Sequence, residues 1–234
     1  YEIVSRDWSS DVCSSDLHDP GAKQNGVTEA DLVLDVALRL EQILLKEGNM
    51  DVVLTRRTNV FVPLEERPTM AMREEADLYL SIHANASEDA RARGVETYVL
   101  NFAQTPQAEA IAARENRGSA RTMKNLPELV KAITLNNKID ESRDFARQVQ
   151  DTLIEGLRKG NRTIRNLGVK QAPFAVLVGA DMPSILAEIA FISNKQEGAL
   201  VKTAAYRQQI AEALAAGVTR YQRRLKPSQV ARQE

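Results

Sequence analysis

The chain has 234 residues, 43% of them hydrophobic and 27% charged, with a formal net charge of -1. This suits one well-cored domain and leaves no excess positive field for gripping phosphate backbones, so nucleic acid is excluded as an expected partner. No apolar run is long enough to cross a bilayer, and the start at Tyr1 lacks a basic segment leading into an apolar one, so no transmembrane segment or signal peptide is visible. The single cysteine rules out an internal disulfide and fits either the cytosol or the periplasm.

Residues 1–17 lack the continuous or alternating apolar pattern that a central strand requires. After "HDPGA" (18–22) the pattern becomes coherent. Thr28 and Asp31 read as a capping box, and Val33, Val36, Ala37, Leu40 and Leu44 recur at helical spacing until Gly48. "DVVLT" (51–55) is a short β-rich run, and 62–76 reads as a helix that Pro68 kinks or delays. "DLYLSIHAN" (77–85) and "GVETYVLN" (94–101) read as strands. Residues 103–142 form a polar stretch with helical patches at "EAIAARE" and "LPELVKAI", too long without strands to be a simple connection and therefore read as an insert. A helix follows over 142–158. "FAVLV" (174–178) and "SILAEIAFI" (184–192) read as buried strands, 204–225 as a closing amphipathic helix, and 226–234 as a frayed tail. Strands alternating with helices predict an α/β domain, with a central mixed sheet flanked by helices on both faces.

Three polar residues stand out. His83 ends an apolar strand and is followed by small and polar residues that cannot cover it. Imidazole there is either a hydrogen-bonded structural group or a metal ligand. Glu188 lies inside "SILAEIAFI", where an ionised carboxylate is costly unless it is paired. Either a buried arginine such as Arg67 or Arg114 compensates it, or it serves acid/base or metal chemistry. Glu29 opens the first helix, where dipole compensation alone would account for a carboxylate.

Taken together, "NGVTEADLVLDVALRLE" (25–41), "VVLTR" (52–56), "FVPLEER" (61–67), "ADLYLSIHANAS" (76–87), "GVETYVL" (94–100) and "MPSILAEIAFISN" (182–194) resemble the zinc-dependent N-acetylmuramoyl-L-alanine amidases. The resemblance runs from His18 to about Tyr221. It implies a bacterial cell-wall hydrolase, acting in the periplasm or outside the cell in peptidoglycan remodelling and cell division. It also implies Zn2+ as cofactor, with Glu29 and His83 as ligands and Glu188 as the catalytic carboxylate. The implied reaction is hydrolysis of the amide between N-acetylmuramic acid and the L-alanine of the stem peptide. The insert at 103–142 resembles the place where regulated members carry a helix that plugs the zinc cleft until an activator protein withdraws it. Glu128 is either a plug residue or a solvated helix carboxylate.

One departure stands out. Members of the family carry a zinc-binding His in a Gly-His-Gly-Gly turn ahead of Asp-Pro-Gly-Ala; counting back from "DPGA", Ser15 takes that place and His18 the variable position. Residues 1–17 resemble translated adapter sequence joined to a truncated reading frame, replacing the first strand and the first zinc ligand. The rival reading is a non-catalytic peptidoglycan-binding or regulatory domain that has lost its metal. Both readings predict weak zinc affinity and poor hydrolysis.

Overall fold

The computed structural model describes residues 2–5, 9–11, 21–48, 50–117, 119, 130, 131 and 133–225. Ser15, His18 and Glu128 lie outside the described residues, as do most of the second helical patch of the insert and the tail from 226.

The described chain opens with strands β1 (Glu2–Ser5) and β2 (Ser9–Asp11), followed by a small hairpin of β3 (Lys23–Gln24) and β4 (Val27–Thr28). Asn25 and Gly26 turn the hairpin at φ 51° and 68°, the left-handed pair that a two-residue turn demands. Helix α1 (Glu29–Lys46) buries Leu32, Val36, Leu40 and Leu44 on one stripe. The expected capping box does not form: Thr28 makes no side-chain cap bond, because it is committed to the hairpin opposite Lys23. The first helical N–H, that of Glu29, is instead taken by the Ala22 carbonyl at 3.0 Å.

Next come β5 (Val53–Leu54) and α2 (Glu66–Arg73), whose late start places Pro68 in the first turn, where its missing N–H costs nothing. Strands β6 (Tyr79–Asn85) and β7 (Val95–Leu100) are buried at every position. Helix α3 (Pro106–Glu115) starts at Thr105, whose hydroxyl accepts the Ala108 N–H at 3.2 Å. Helix α4 (Ile139–Leu157), strand β8 (Asn166–Ala172), a 3-10 turn (Ala175–Leu177), strand β9 (Ser184–Phe191), and helices α5 (Lys195–Val201) and α6 (Ala204–Leu225) complete the described chain.

The fold is α/β with a mixed sheet. Its strand order is β2-β1-β6-β9-β7-β8, with β5 also paired to β1. β6 and β9 run parallel, β7 and β8 run parallel, and β7 lies antiparallel to β9. Three readings are corrected. "FAVLV" is buried but forms the 3-10 turn rather than a strand. The strand sits earlier, at β8, whose polar residues disguised it because it closes the sheet edge. Residues 2–5 do join the sheet, pairing antiparallel to β6 and β5, despite the absent apolar pattern.

The two faces of the sheet differ in kind. One packs Leu80, Ile82, Ile185 and Ala187 against α1, α4 and α6 in the larger core. There α4 and α6 approach so closely that a Cβ on Gly217 would stand 2.8 Å from Val149 Cα. The other face carries Tyr79, Tyr98, Leu100 and Leu186 under α3 and the 3-10 turn, with the Tyr98 and Phe174 rings edge to face at 5.0 Å.

A polar lock fixes the loop after β6 to the end of β9. Glu197 accepts the N–H groups of Gly94 at 2.9 Å and Phe191 at 2.8 Å. Asn194 caps α5 and donates to the Ala90 carbonyl, and the Ser193 hydroxyl accepts from Ser87 N–H. This ties down the segment that follows His83.

Candidate metal centre and active site

Sheet pairing assembles the site. His83 on β6 stands in register with Glu188 on β9, which in turn stands in register with Glu96 on β7, so one row of polar groups crosses the centre of the sheet. Glu29 reaches this row from the first turn of α1. Its Oε1 accepts the Ala84 N–H at 3.1 Å and lies 3.1 Å from His83 Nδ1, while Oε2 accepts the Ala22 N–H at 2.9 Å. Two backbone donors thus hold the carboxylate against the imidazole, a tighter duty than dipole compensation.

A third carboxylate completes the group. Glu115 Oε2, at the end of α3, lies 3.0 Å from His83 Nδ1. Ligand atoms of Glu29, His83 and Glu115 all fall within 4.8 Å of one another. Sequence reasoning missed Glu115 and looked to Glu128 instead. The available signal was electrostatic: a carboxylate in the last turn of a helix opposes the helix dipole and needs a cationic partner. Arg114 is one such partner, its Nε and Nη2 donating to Glu115 Oε1 at 2.8 and 2.7 Å.

Burial alone would strip His83 of its proton, but Glu115 and Glu29 outweigh it and push the imidazole up to about 10. Burial likewise opposes ionisation of Glu115, and His83 and Arg114 overcome it, holding that carboxyl down at about 2. A proton on His83 therefore occupies the space between carboxylates that a bound cation would take. One imidazole and two carboxylates, buried and converging, form a donor set that suits zinc.

Glu188 is fully buried and neither of its oxygens has a hydrogen-bond partner among the described residues. Of the two arginines proposed to compensate it, Arg114 comes near, with Nη2 at 3.9 Å, whereas Arg67 donates to the Val62 carbonyl. Burial, with the Glu115 charge behind it, lifts the Glu188 carboxyl well above the ordinary range, against the pull of Arg114 and His83. A buried carboxyl with a raised affinity for protons beside a cation site is suited to accept a proton and pass it on.

Residues 16–220 match the N-acetylmuramoyl-L-alanine amidase family. The chain is 36% identical over 203 residues to N-acetylmuramoyl-L-alanine amidase AmiC of Escherichia coli O6:H1, covering 82% of this chain and 47% of that protein. It is 33% identical over 211 residues to AmiA of Escherichia coli K12, covering 85% and 70% respectively. The chain thus spans about half the length of the first relative. Among solved structures, an N-acetylmuramoyl-L-alanine amidase from Clostridium difficile 630 superposes with a TM-score of 0.69 at 25% identity, covering 90% of this chain and 94% of that one. Among the described residues, no helix is long and apolar enough to cross a membrane. With a family match that covers residues 16–220 of 234 and relatives that share a third of its residues over most of its length, the chain belongs to the N-acetylmuramoyl-L-alanine amidase family.

Proposed function

We propose that residues 18–225 form a zinc amidase domain that hydrolyses the bond between N-acetylmuramic acid and L-alanine in peptidoglycan, acting in the periplasm or outside the cell. The observation that carries this reading is the fully buried Glu188, without a hydrogen-bond partner among the described residues, in register with His83 and beside the Glu29–His83–Glu115 group. Glu29 and His83 would hold the metal. Bound zinc supplies Lewis acidity, which polarises a carbonyl and makes water acidic. Glu188 takes a proton from the attacking water on one carboxylate oxygen and returns it to the nitrogen of the departing L-alanine. Burial keeps that proton on Glu188 between the two steps.

We read the 103–142 segment as a regulatory insert, with α3 as its plug and an activator protein as the agent that withdraws it. Glu115 would then be a metal ligand only while α3 is seated, and Ser15 at the place of the family's first His makes it the third protein ligand of this chain. That same substitution favours a second reading, a peptidoglycan-binding domain without turnover.

Zinc-loaded protein incubated with purified sacculi separates the two. The amidase reading expects slow release of stem peptides bearing free L-alanine amino termini, abolished in Glu188→Gln at equal zinc content. Co-sedimentation with sacculi but no release, whatever stands at position 188, would establish the binding domain instead.

A further inference from the structure

Resting on the amidase reading, we propose that Asn85 Oδ1 and the Ala86 carbonyl form a subsite for the N–H of the peptide bond next after the scissile amide, and that Arg114 fills it while α3 is seated. Asn85 is fully buried at the end of β6. Its Nδ2 donates to Glu96 Oε1 at 2.9 Å, and Glu96 is further held by the Tyr98 hydroxyl at 3.0 Å and by Lys170 Nζ. An ionised carboxylate paired with Lys170 only accepts, so the orientation of the amide follows: Nδ2 faces Glu96 and Oδ1 faces the cleft. The backbone carbonyl of Asn85 is spent on the Ile192 N–H at 2.8 Å. What Asn85 offers the cleft is therefore one acceptor, immobilised from behind by Glu96, Tyr98 and Lys170.

Arg114 occupies that acceptor. Its Nη1 donates to Asn85 Oδ1 at 3.1 Å and also to the Ala86 carbonyl, while its Nη2 lies 3.9 Å from Glu188. One guanidinium thus lies between the Glu188 carboxyl and two fixed acceptors. Once α3 leaves, these two acceptors open to the cleft, and a peptide that displaces water from them must supply N–H groups in its place, since a buried acceptor without a donor is costly. A peptide whose scissile nitrogen lies at Glu188 presents its next N–H there. Arg114 and Glu115 are consecutive on α3, so a single withdrawal clears the metal side and the peptide side together.

Isothermal calorimetry on the zinc-free protein tests this without turnover, with N-acetylmuramoyl-L-alanyl-D-isoglutamine as probe. Arg114→Met is expected to bind it about tenfold more tightly than the parent, the worth of a recovered hydrogen bond or two. Adding Asn85→Ala, which leaves only the Ala86 carbonyl, is expected to remove most of that gain. Methylating the probe's nitrogen between L-alanine and D-isoglutamine should weaken binding to Arg114→Met by a similar factor and weaken binding to the double variant, which keeps only the Ala86 carbonyl, by clearly less, a coupling that a merely structural asparagine would not produce. Glu96 keeps Tyr98 and Lys170 as donors in the Asn85 variant, and circular dichroism checks its fold. The Arg114→Met arm stands without it. Equal affinity of parent and Arg114→Met, or a methylation penalty that ignores Asn85→Ala, overturns the subsite alone. Failure of every protein to bind the probe overturns the amidase reading and the subsite with it.

Discussion

His83 and Glu188 stand opposite each other on the adjacent parallel strands β6 and β9, both buried, the imidazole held between two carboxylates and the Glu188 carboxyl held by none of the described donors. The sheet supplies this pairing: the register that buries Ile82 against Ala187 on one face sets His83 beside Glu188 on the other. Fold and site are therefore fixed by the same strand alignment.

A buried carboxyl without a hydrogen-bond partner among the described residues is a standing cost to the fold. Glu188→Gln, uncharged at every pH, is expected to raise the unfolding free energy of the metal-free protein by about 1–3 kcal/mol at neutral pH. Urea denaturation of the two proteins measures it; a loss of stability in Glu188→Gln would mean that the carboxylate is paired in a way its geometry does not indicate.

The closing helices of the larger core leave no room at Gly217. A Cβ there would meet Val149 Cα at 2.8 Å and Thr152 Oγ1 at 2.7 Å, so α6 must move away from α4. Gly217→Ala is expected to destabilise by about 1–3 kcal/mol despite the better helix propensity of alanine. Thermal unfolding checks this, and an unchanged or higher midpoint would show that the two helices separate freely.

Glu197 gives the fold a pH dependence. Burial lifts its carboxyl from 4.5 to about 7, against the two backbone donors at Phe191 and Gly94 and the charge of Arg93. Between those values the unfolded chain loses the proton first, so the folded state binds more protons and stability falls as pH rises. Relative to Glu197→Gln, the parent is expected to lose up to about 3 kcal/mol between pH 4.5 and pH 7.5. A difference between the two proteins that stays constant across that range would contradict it.

Much of the frame was legible because periodicity and burial agree. The stripe of α1 and the closing helix Ala204–Leu225 follow the 3.6-residue repeat, and β6 and β9 are apolar runs buried on both faces. The run at "FAVLV" misled because continuous apolarity marks burial without marking conformation, and here a 3-10 turn is what is buried. Strand β8 hid behind Lys170 and Gln171, polar residues that serve Glu96 and the Phe102 carbonyl at a sheet edge. At the site, Glu188 announced itself as a charge in an apolar strand. Glu29 looked like an ordinary first-turn acid, and only its bonds to Ala22 and Ala84 distinguish it. Glu115 lay in a stretch read as insert, and its position depends on a tertiary contact that no local pattern encodes.

The central claim is that Glu29, His83 and Glu115 form a metal centre, and zinc titration of the metal-free protein by calorimetry addresses it most directly. The account predicts one zinc per chain in the parent, with affinity reduced by at least about 10–100-fold in each of Glu29→Gln, His83→Ala and Glu115→Gln. Zinc binding of equal strength in the parent and in all three variants would contradict it.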